Sequence, residues 1–365
     1  MNHLTRRQLL RLVSVGVGAL SIEQLLAACG ETATPTSLPQ PLASTPTQLS
    51  ATGTLPANTD NTPIEAPTPT EAMKALMTPT ASSKNTLAAP AGKSGAKYMV
   101  VARGGEPEVL ARQAFAALGG MEAFVKKGAD VIIKPNICTA YHTYEYATTT
   151  NPWLVAALVK MALEAGARRV RVMDSPFGGE PKEAYAISGI ADLVAKAGGT
   201  MEVMSNLKFK KTDIPKGKAM TSWAIYEDIL KADVLINVPI AKVHSLAGLT
   251  LGMKNLMGVI LYREDIHMNL GQMLADLASR INPTVTVVDA VRILVDHGPT
   301  GGSLNDVKKL DTLIVSKDIV AADTYAASLF GKKPDDLDTI TAAAAMGLGS
   351  SDLSSLNIEE INVGA

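Results

Sequence analysis

Two apolar runs decide the fold: Val234-Leu235-Ile236-Asn237-Val238 and Val285-Thr286-Val287-Val288. Both runs are nearly continuous in apolar or β-branched residues, and no charged side chain interrupts them. This pattern is typical of strands at the centre of a parallel sheet, because helices cover both faces of the sheet there. The two runs therefore predict central strands that are buried on both sides.

Similar strand-like segments recur on either side of these two runs. Strands are predicted at 98–102, 130–134, 169–173, 200–204, 233–238, 284–289 and 311–315, with a last one at 358–363. Helical periods separate many of these segments, which indicates a sheet covered by helices. The predicted fold class is α/β, with a mostly parallel or mixed sheet flanked by helices and preceded by a disordered tether.

Two helices are well marked by their end signals. The first follows the second strand, with Asn151 as its N-cap, Pro152 at its first position and Gly166 as its stop. Its stripe facing the sheet is Trp153, Leu154, Ala157, Leu158, Met161 and Ala162. The second places Ala184, Ile187, Ala191 and Val194 inward and ends at Gly198. Both are expected to pack on the sheet.

Polar residues gather just after the predicted strands. Three of the four histidines beyond the first 28 residues, His142, His244 and His297, follow a strand, and His267 lies in a connection between two strands. Because ligands bind at the carboxyl ends of strands in open α/β sheets, much of this polar set is expected to face one edge. The alternative is that histidine simply favours loops.

A metal site is one interpretation of these residues. His244 and His267 are the candidate imidazole ligands, with Asp289 or Asp323 as the carboxylate ligand of a divalent metal ion. Each carboxylate also has a structural explanation, since Asp323 begins a predicted helix and Asp289 ends a strand. Cys138 beside His142 is a further candidate, as a nucleophile, against the alternative that a buried thiol only packs.

An anion site is the second interpretation, and it rests on the glycine-rich segment from Lys242 to Gly258. The segment is not a Walker A loop, because Asn255 follows Lys254 where that motif needs Ser or Thr after Gly-Lys. Its glycines would let backbone amides approach an anion, with Lys242, Lys254 and Asn136 as the binding side chains. Close packing of a helix on the sheet explains the same glycines equally well.

Composition excludes several classes of protein. The chain has 34 basic and 35 acidic side chains and a formal net charge of −1, so no nucleic-acid partner is expected. It has two cysteines, Cys29 and Cys138, which cannot supply the four ligands of an iron–sulfur cluster within one chain. We therefore expect no iron–sulfur cluster from this chain.

The amino-terminal region is typical of an exported lipoprotein. Arg6 and Arg7 precede a short apolar run and then Leu26-Ala27-Ala28-Cys29, so residues 1–28 are predicted to be a twin-arginine signal peptide with a lipobox. Cleavage would leave Cys29 as a lipid-bearing end that holds the protein on the extracytoplasmic side of a membrane. Residues 29–97 are rich in Thr and Pro and predict a disordered tether, followed by one α/β domain at 98–365.

The domain also resembles a known family. The motifs that carry the resemblance are Lys134-Pro135-Asn136, Thr149-Thr150-Asn151-Pro152, Lys242-Val243-His244, the run from Gly252 to Gly258, His267, Val288-Asp289, Gly298-Pro299 with Gly302, and Val320-Ala321-Ala322-Asp323. The set is similar to the domain-of-unknown-function family number 362. Several members carry a ferredoxin-like iron–sulfur domain at the C-terminus, and this chain ends without one. The family implies no particular reaction.

Three functions are compatible with these residues. The first is a metal-assisted enzyme that acts on a small anionic substrate, with His244, His267 and Asp289 near the metal and Lys242 and Lys254 on the anion. The second is a non-catalytic extracytoplasmic lipoprotein that binds a solute or a metal ion. The third is a cell-surface adaptor whose polar loops are purely structural.

Overall fold

The computed structural model describes residues 98–364. The predicted signal peptide 1–28, the lipidation residue Cys29 and the predicted tether 29–97 lie outside the described residues and stay predictions. Within the described range, no helix combines the length and the apolar character needed to cross a bilayer.

Strands and helices follow one another along the described chain. The strands are β1 (Met99–Arg103), β2 (Asp130–Pro135), β3 (Arg169–Val172), β4 (Thr200–Met201), β5 (Phe209–Asp213), β6 (Ser222–Tyr226), β7 (Val234–Val238), β8 (Ile240–His244), β9 (Gly248–Thr250), β10 (Val285–Leu294), β11 (Val307–Ser316) and β12 (Ile358–Asn362). The α-helices are α1 (Pro107–Ala117), α2 (Pro152–Glu164), α3 (Pro181–Ile187), α4 (Ile190–Lys196), α5 (Glu227–Lys231), α6 (Gly252–Asn255), α7 (Arg263–Ile266), α8 (Leu270–Ile281), α9 (Ile319–Ser328) and α10 (Asp338–Ala345).

One ten-stranded sheet organises the fold, and β5 and β6 form a separate antiparallel pair. The order across the large sheet is β12-β1-β11-β10-β7-β2-β3-β4, with β8 paired to β10 and β9 paired to β8. Only β11 and β9 run antiparallel to their neighbours among these strands. The predicted α/β class with a mostly parallel or mixed sheet is confirmed, and the carboxyl ends of β2, β3, β7 and β8 lie at one edge.

The central strands are buried on both faces, as their continuous apolar runs predict. All five residues of β7 are buried, with Val234, Ile236 and Val238 facing one core and Leu235 facing the other. Helices α1 to α4 cover the first core, and α8, α9 and α10 cover the second. The sheet is therefore the middle layer of three, which leaves its edges as the places where polar groups can meet a ligand.

Helix α2 begins and ends where its sequence signals lie. The Asn151 side chain accepts hydrogen bonds from the backbone N–H groups of Trp153 at 3.0 Å and Leu154 at 3.3 Å, and Gly166 adopts a φ of +92° after the last turn. The expectation that Trp153 faces the sheet is wrong, because its side chain is 47% exposed. It packs edge-on against the Tyr144 ring, with 4.8 Å between centroids.

Several other elements differ from the predicted ones. The second predicted helix is two helices, α3 and α4, because Gly189 takes a left-handed φ of +73° between them. The strand predicted at 200–204 is limited to Thr200–Met201, whereas β10 and β11 are each ten residues long. The strands β5, β6, β8 and β9 were not predicted.

Candidate functional site

A cavity of about 340 Å³ opens at the edge where β2, β3 and β8 end. The residues after β2 and β3, the end of β8, and the segment from α6 to α7 all contribute to its wall. The side chains of chemical interest in the wall are Cys138, Lys242, His244, Lys254, Arg263 and His267. The cavity therefore lies where the strand-end rule for α/β sheets predicts a ligand site.

A buried ion pair supports the wall. The Lys134 ammonium lies 2.7 Å from Asp174 Oδ1, and the two side chains are 1% and 4% exposed. Lys134 also donates to the carbonyl of Pro135 at 2.8 Å and to Asn255 Oδ1 at 3.1 Å. The other Asp174 oxygen accepts the Ile137 N–H at 2.6 Å. Every charge in this group is thus compensated within the protein, which suits a structural role.

Lys242 is also buried, but its acceptors are neutral. Its ammonium donates to Asn136 Oδ1 at 3.0 Å, to the Thr148 carbonyl at 2.6 Å and to the Pro299 carbonyl at 3.0 Å. The Asn136 amide donates in turn to Asn255 Oδ1 at 3.0 Å. These contacts hold the ammonium in place and leave its positive charge without a carboxylate partner among the described residues.

Lys254 and Arg263 add two more cations to the wall. The Lys254 Nζ lies 3.3 Å from the Met257 sulfur, its single polar contact within residues 98–364. Arg263 donates to the carbonyl and the hydroxyl of Ser175, and neither cation has an ion pair with a carboxylate in the described part of the chain. Burial first, then the charges of Lys242 and Arg263, lower the pKa of Lys254 to about 8. Asp174 and Glu264 also line the cavity, but Asp174 is paired with Lys134, so the cations outnumber the unpaired carboxylates in the wall.

His244 is held as a neutral imidazole of one tautomer. Its Nδ1 accepts the backbone N–H groups of Leu246 at 3.1 Å and Ala247 at 3.3 Å, so the ring proton must sit on Nε2. Burial first, then the charges of Lys254 and Lys242, lower the pKa of His244 to about 3. His244 consequently offers the cavity an N–H donor rather than a free lone pair.

The two carboxylates predicted as metal ligands hold backbone amides instead. Asp289 accepts the N–H groups of Asn151 at 2.6 Å and Val291 at 3.0 Å. Asp323 accepts those of Gly252 at 2.6 Å and Met253 at 2.9 Å. Both side chains are buried, and burial raises the pKa of Asp289 to about 6 and that of Asp323 to about 7. Neither residue lies in the wall of the cavity, whereas His244 and His267 both do.

The glycine-rich segment brings its backbone close to carboxylates of the same chain. A Cβ on Gly252 would lie 2.6 Å from Asp323 Oδ1, and a Cβ on Gly258 would lie 1.9 Å from Asp174 Oδ1. The Gly252 amide does approach an anion, as one sequence interpretation held, but that anion is the Asp323 side chain. The packing interpretation therefore accounts for these two glycines.

Cys138 and His142 lie in different surroundings in the folded protein. Cys138 is a buried free thiol that lines the cavity and donates to the Pro299 carbonyl at 3.5 Å. The His142 ring stacks on Tyr146, with 4.3 Å between centroids, and does not line that cavity. The contacts give no support to a thiol–imidazole pair.

A separate group of possible metal ligands lies near the end of β10. Single ligand atoms of Asp296, His297 and Asp306 all lie within 4.8 Å of one another, and His297 Nδ1 is 3.0 Å from Asp306 Oδ2. Asp306 Oδ2 also accepts the Ser303 N–H at 2.8 Å, as part of a capping box. The geometry is compatible with a metal ion. The hydrogen bonds within the group also account for the close approach of the three side chains without a metal.

The structure brings together all three side chains that sequence reasoning assigned to the anion. Asn136, Lys242 and Lys254 line one cavity, and His244 and His267 line it with them. Arg263 was missed, because it lies in the short helix α7 and follows no predicted strand. The Lys134–Asp174 pair was missed as well, although both residues stand at strand ends.

The fold is α/β, and a cavity lined by several cations lies at the carboxyl ends of its strands. The family described as Domain of unknown function (DUF362) matches residues 131–328, which is more than half of the chain. The chain belongs to this family. The matched range runs from β2 into α9 and includes all the cavity residues discussed above.

A curated relative and two solved structures are also similar. The thylakoid-associated protein sll1697 of Synechocystis sp. is 27% identical over 246 residues, which cover 63% of this chain and 72% of that protein. The lactate racemase apoprotein of Thermoanaerobacterium thermosaccharolyticum has a TM-score of 0.39 at 14% identity, covering 63% of this chain and 56% of that one. A protein of Thermotoga maritima has a TM-score of 0.39 at 13% identity, covering 62% of this chain and 60% of that one. At these TM-scores, neither likeness indicates the chemistry of this chain.

Proposed function

We propose that the protein binds a small anionic molecule in the cavity at the strand ends and acts on it as an enzyme. The observation that carries this proposal is the set of three cations, Lys242, Lys254 and Arg263, which line one cavity without a carboxylate partner among residues 98–364. In contrast, the neighbouring Lys134 has Asp174 at 2.7 Å. Lys134 therefore neutralises Asp174, one of the two carboxylates in the wall, and the three cations face only Glu264, so the wall keeps a positive charge for a ligand.

Electrostatics explains why an anion suits this cavity. Removing several cations from water without counter-charges is unfavourable, and the penalty grows as the wall becomes less hydrated. A charge pair separated by about 4 Å is worth about 4 kcal/mol at an effective dielectric constant of about 20. A carboxylate or phosphate that contacts two of the three cations would offset much of the repulsion between them.

The perturbed groups favour an enzyme over a passive binding protein. Lys254 with a pKa lowered to about 8 and His244 with a pKa lowered to about 3 face the same cavity. Burial and specific neighbouring charges cause both shifts, and this combination is typical of catalytic sites. The solute-binding lipoprotein remains the alternative, and it predicts binding without turnover.

A metal-assisted reaction does not fit the donors of this cavity. His244 Nδ1 already accepts two backbone N–H groups, and Asp289 and Asp323 hold backbone amides elsewhere. The three cations of the wall would also repel a divalent cation. If the protein binds a divalent metal, the ligand atoms of Asp296, His297 and Asp306 are arranged more suitably.

Calorimetry with defined anions tests the proposal. Oxalate and inorganic phosphate are the probes, since they separate carboxylate from phosphate recognition, and chloride at equal ionic strength controls for screening. At about pH 6.5, where Lys254 with a pKa of about 8 is mostly protonated, we expect binding to the wild-type protein and at least about tenfold weaker binding to Lys254→Met, because one charge-assisted contact is lost. The matched control is Lys332→Met, which removes an exposed lysine from the loop after α9, outside the lining of the cavity. Equal affinities in all three proteins, or no binding at all, would contradict the proposal.

The location of the protein is proposed from the sequence alone. Arg6, Arg7 and the segment ending in Cys29 support export and a lipid anchor on the extracytoplasmic side of a membrane. The cavity would then meet small anions outside the cytoplasm.

A further inference from the structure

The three lysines around the cavity differ in what their nitrogen atoms contact. Lys134 and Lys242 each donate to three oxygen atoms, which matches the three protons of an ammonium group. Within residues 98–364, Lys254 Nζ contacts no oxygen atom and has only the Met257 sulfur at 3.3 Å. Sulfur of a thioether is a weak acceptor. Burial lowers the pKa of Lys134 as well, but there the Asp174 carboxylate opposes the effect, whereas Lys254 has neither an oxygen acceptor nor a paired carboxylate among the described residues.

The electrostatics of the wall favour the neutral amine at the same position. Burial lowers the pKa of Lys254 to about 8, and Lys242 lowers it further, whereas Cys138 raises it by more than the weaker effect of Arg263 lowers it. About a tenth of the Lys254 side chains then carry an uncharged amine at pH 7, compared with less than about a thousandth for an ordinary lysine. Desolvation and a neighbouring cation are the two conditions that make a lysine nucleophilic.

The other groups of the wall are suited to a carbonyl compound that carries a carboxylate. Lys242 and Arg263 are the cations left to hold the carboxylate once Lys254 is neutral. His244 is kept neutral with its proton on Nε2, so it can donate a hydrogen bond to a carbonyl oxygen. Together with the Lys254 amine, these side chains supply a donor for the oxygen and a nucleophile for the carbon.

We propose that Lys254 is a nucleophile that forms an imine with the carbonyl carbon of a small 2-oxo carboxylate bound in the cavity. This inference rests on the proposed function, because it needs the anion site, and it adds the substrate class. It gives Lys254 a covalent role in place of the purely electrostatic one.

The reaction is balanced without a further reactant. The amine lone pair of Lys254 attacks the carbonyl carbon, and one amine proton is transferred to the carbonyl oxygen as the C–N bond forms. The resulting carbinolamine gives up its remaining N–H proton to the hydroxyl group, which leaves as water, and a C=N bond replaces the C=O bond. No electrons are gained or lost overall, so neither an oxidant nor a reductant is needed. The imine withdraws electrons from the adjacent carbon bonds, which facilitates their cleavage.

Reductive trapping tests the proposal on the full-length protein. Pyruvate and 2-oxoglutarate are the probes, sodium borohydride reduces any imine, and peptide mass spectrometry locates the adduct. We expect a reduced adduct on Lys254 in the wild-type protein and in Lys332→Met, and no adduct at this site in Lys254→Met. The yield should rise as the pH approaches about 8, because the amine fraction increases through that range.

The outcomes separate this inference from the proposed function. Adducts confined to exposed lysines, together with normal oxalate binding, would overturn the imine and leave the anion site standing. If the wild-type protein neither binds oxalate nor gives a trapped adduct, the imine and the anion site are both overturned. The wild-type peptide map decides the matter even if Lys254→Met fails to fold, since the adduct is located directly.

Discussion

Gly258→Ala should destabilise the protein by displacing the buried Lys134–Asp174 pair. An added Cβ would lie 1.9 Å from Asp174 Oδ1 and 2.7 Å from Lys134 Nζ, so the carboxylate must move. Asp174 would then lose its ion pair or the Ile137 N–H that it accepts at 2.6 Å. Breaking a buried ion pair costs roughly 3–5 kcal/mol. Gly258 lies in the 3₁₀ turn Leu256–Val259 without a positive φ, so the lower chain entropy of alanine in the unfolded state offsets about 1 kcal/mol and leaves a net loss of about 2–4 kcal/mol.

Equilibrium unfolding in guanidinium chloride measures this loss, and two further variants show its cause. Gly331 has no atom within 4 Å of an added Cβ but a φ of +68°, so Gly331→Ala should cost about 1–2 kcal/mol through backbone strain alone. In an Asp174→Ala background the clash with the carboxylate is gone, so Gly258→Ala should add less than about 1 kcal/mol. Fully additive effects of the two substitutions, or a Gly258→Ala protein as stable as the wild type, would refute the reasoning.

Three other predictions concern protonation, metal content and export. Burial raises the pKa of Asp323 from 3.8 to about 7, so its proton stabilises the folded state below about pH 4 and this contribution is lost as the pH rises to about 7. The free energy of unfolding of Asp323→Asn should therefore decrease less between about pH 4 and pH 7 than that of the wild-type protein. Urea unfolding curves with the same pH dependence for both proteins would contradict the raised pKa of Asp323. His244→Ala should leave the metal content unchanged in elemental analysis, because Nδ1 already accepts two N–H groups; a strong loss of metal would restore the predicted ligand role. Replacing Arg6 and Arg7 with Lys should block export in a cell fractionation assay, and unimpaired export would show that the twin-arginine interpretation is wrong.

The sequence predicts the central strands and helix α2 well because their signals are local. A run such as Val234–Val238 is apolar at every position but Asn237, and burial on both faces requires this pattern. The ends of α2 depend on Asn151 and Gly166, which act on the backbone within a few residues. Such features need no knowledge of the rest of the fold.

The missed strands have weaker or hidden signals. Only Pro239 separates β7 from β8. A proline in a sequence indicates the end of a strand, whereas in the structure β8 follows at once and pairs with β10. Strand β5 is mostly charged or polar and its residues are half-buried or exposed, so it lacks the apolar pattern of a core strand. Pairing between distant segments creates these strands, and local patterns cannot reveal it.

The site was predictable in position but not in the partners of its side chains. The strand-end rule correctly groups Asn136, Lys242 and His244 at one cavity. It cannot distinguish a carboxylate that faces a ligand from one that accepts backbone amides, as Asp289 and Asp323 do. That distinction depends on which N–H groups the folded chain leaves without another acceptor.

The position of β1 in the sheet has a consequence for how the chain folds. Its two neighbours are β11 and β12, formed by residues 307–316 and 358–362, whereas β1 itself spans residues 99–103. During synthesis β1 therefore leaves the ribosome before either partner exists, and pairing over such a sequence separation is slow. Until β12 arrives, one side of β1 is an open strand edge, and such an edge can pair with a second molecule. Premature termination before Ile358 would make this exposure permanent, so truncated chains are expected to aggregate.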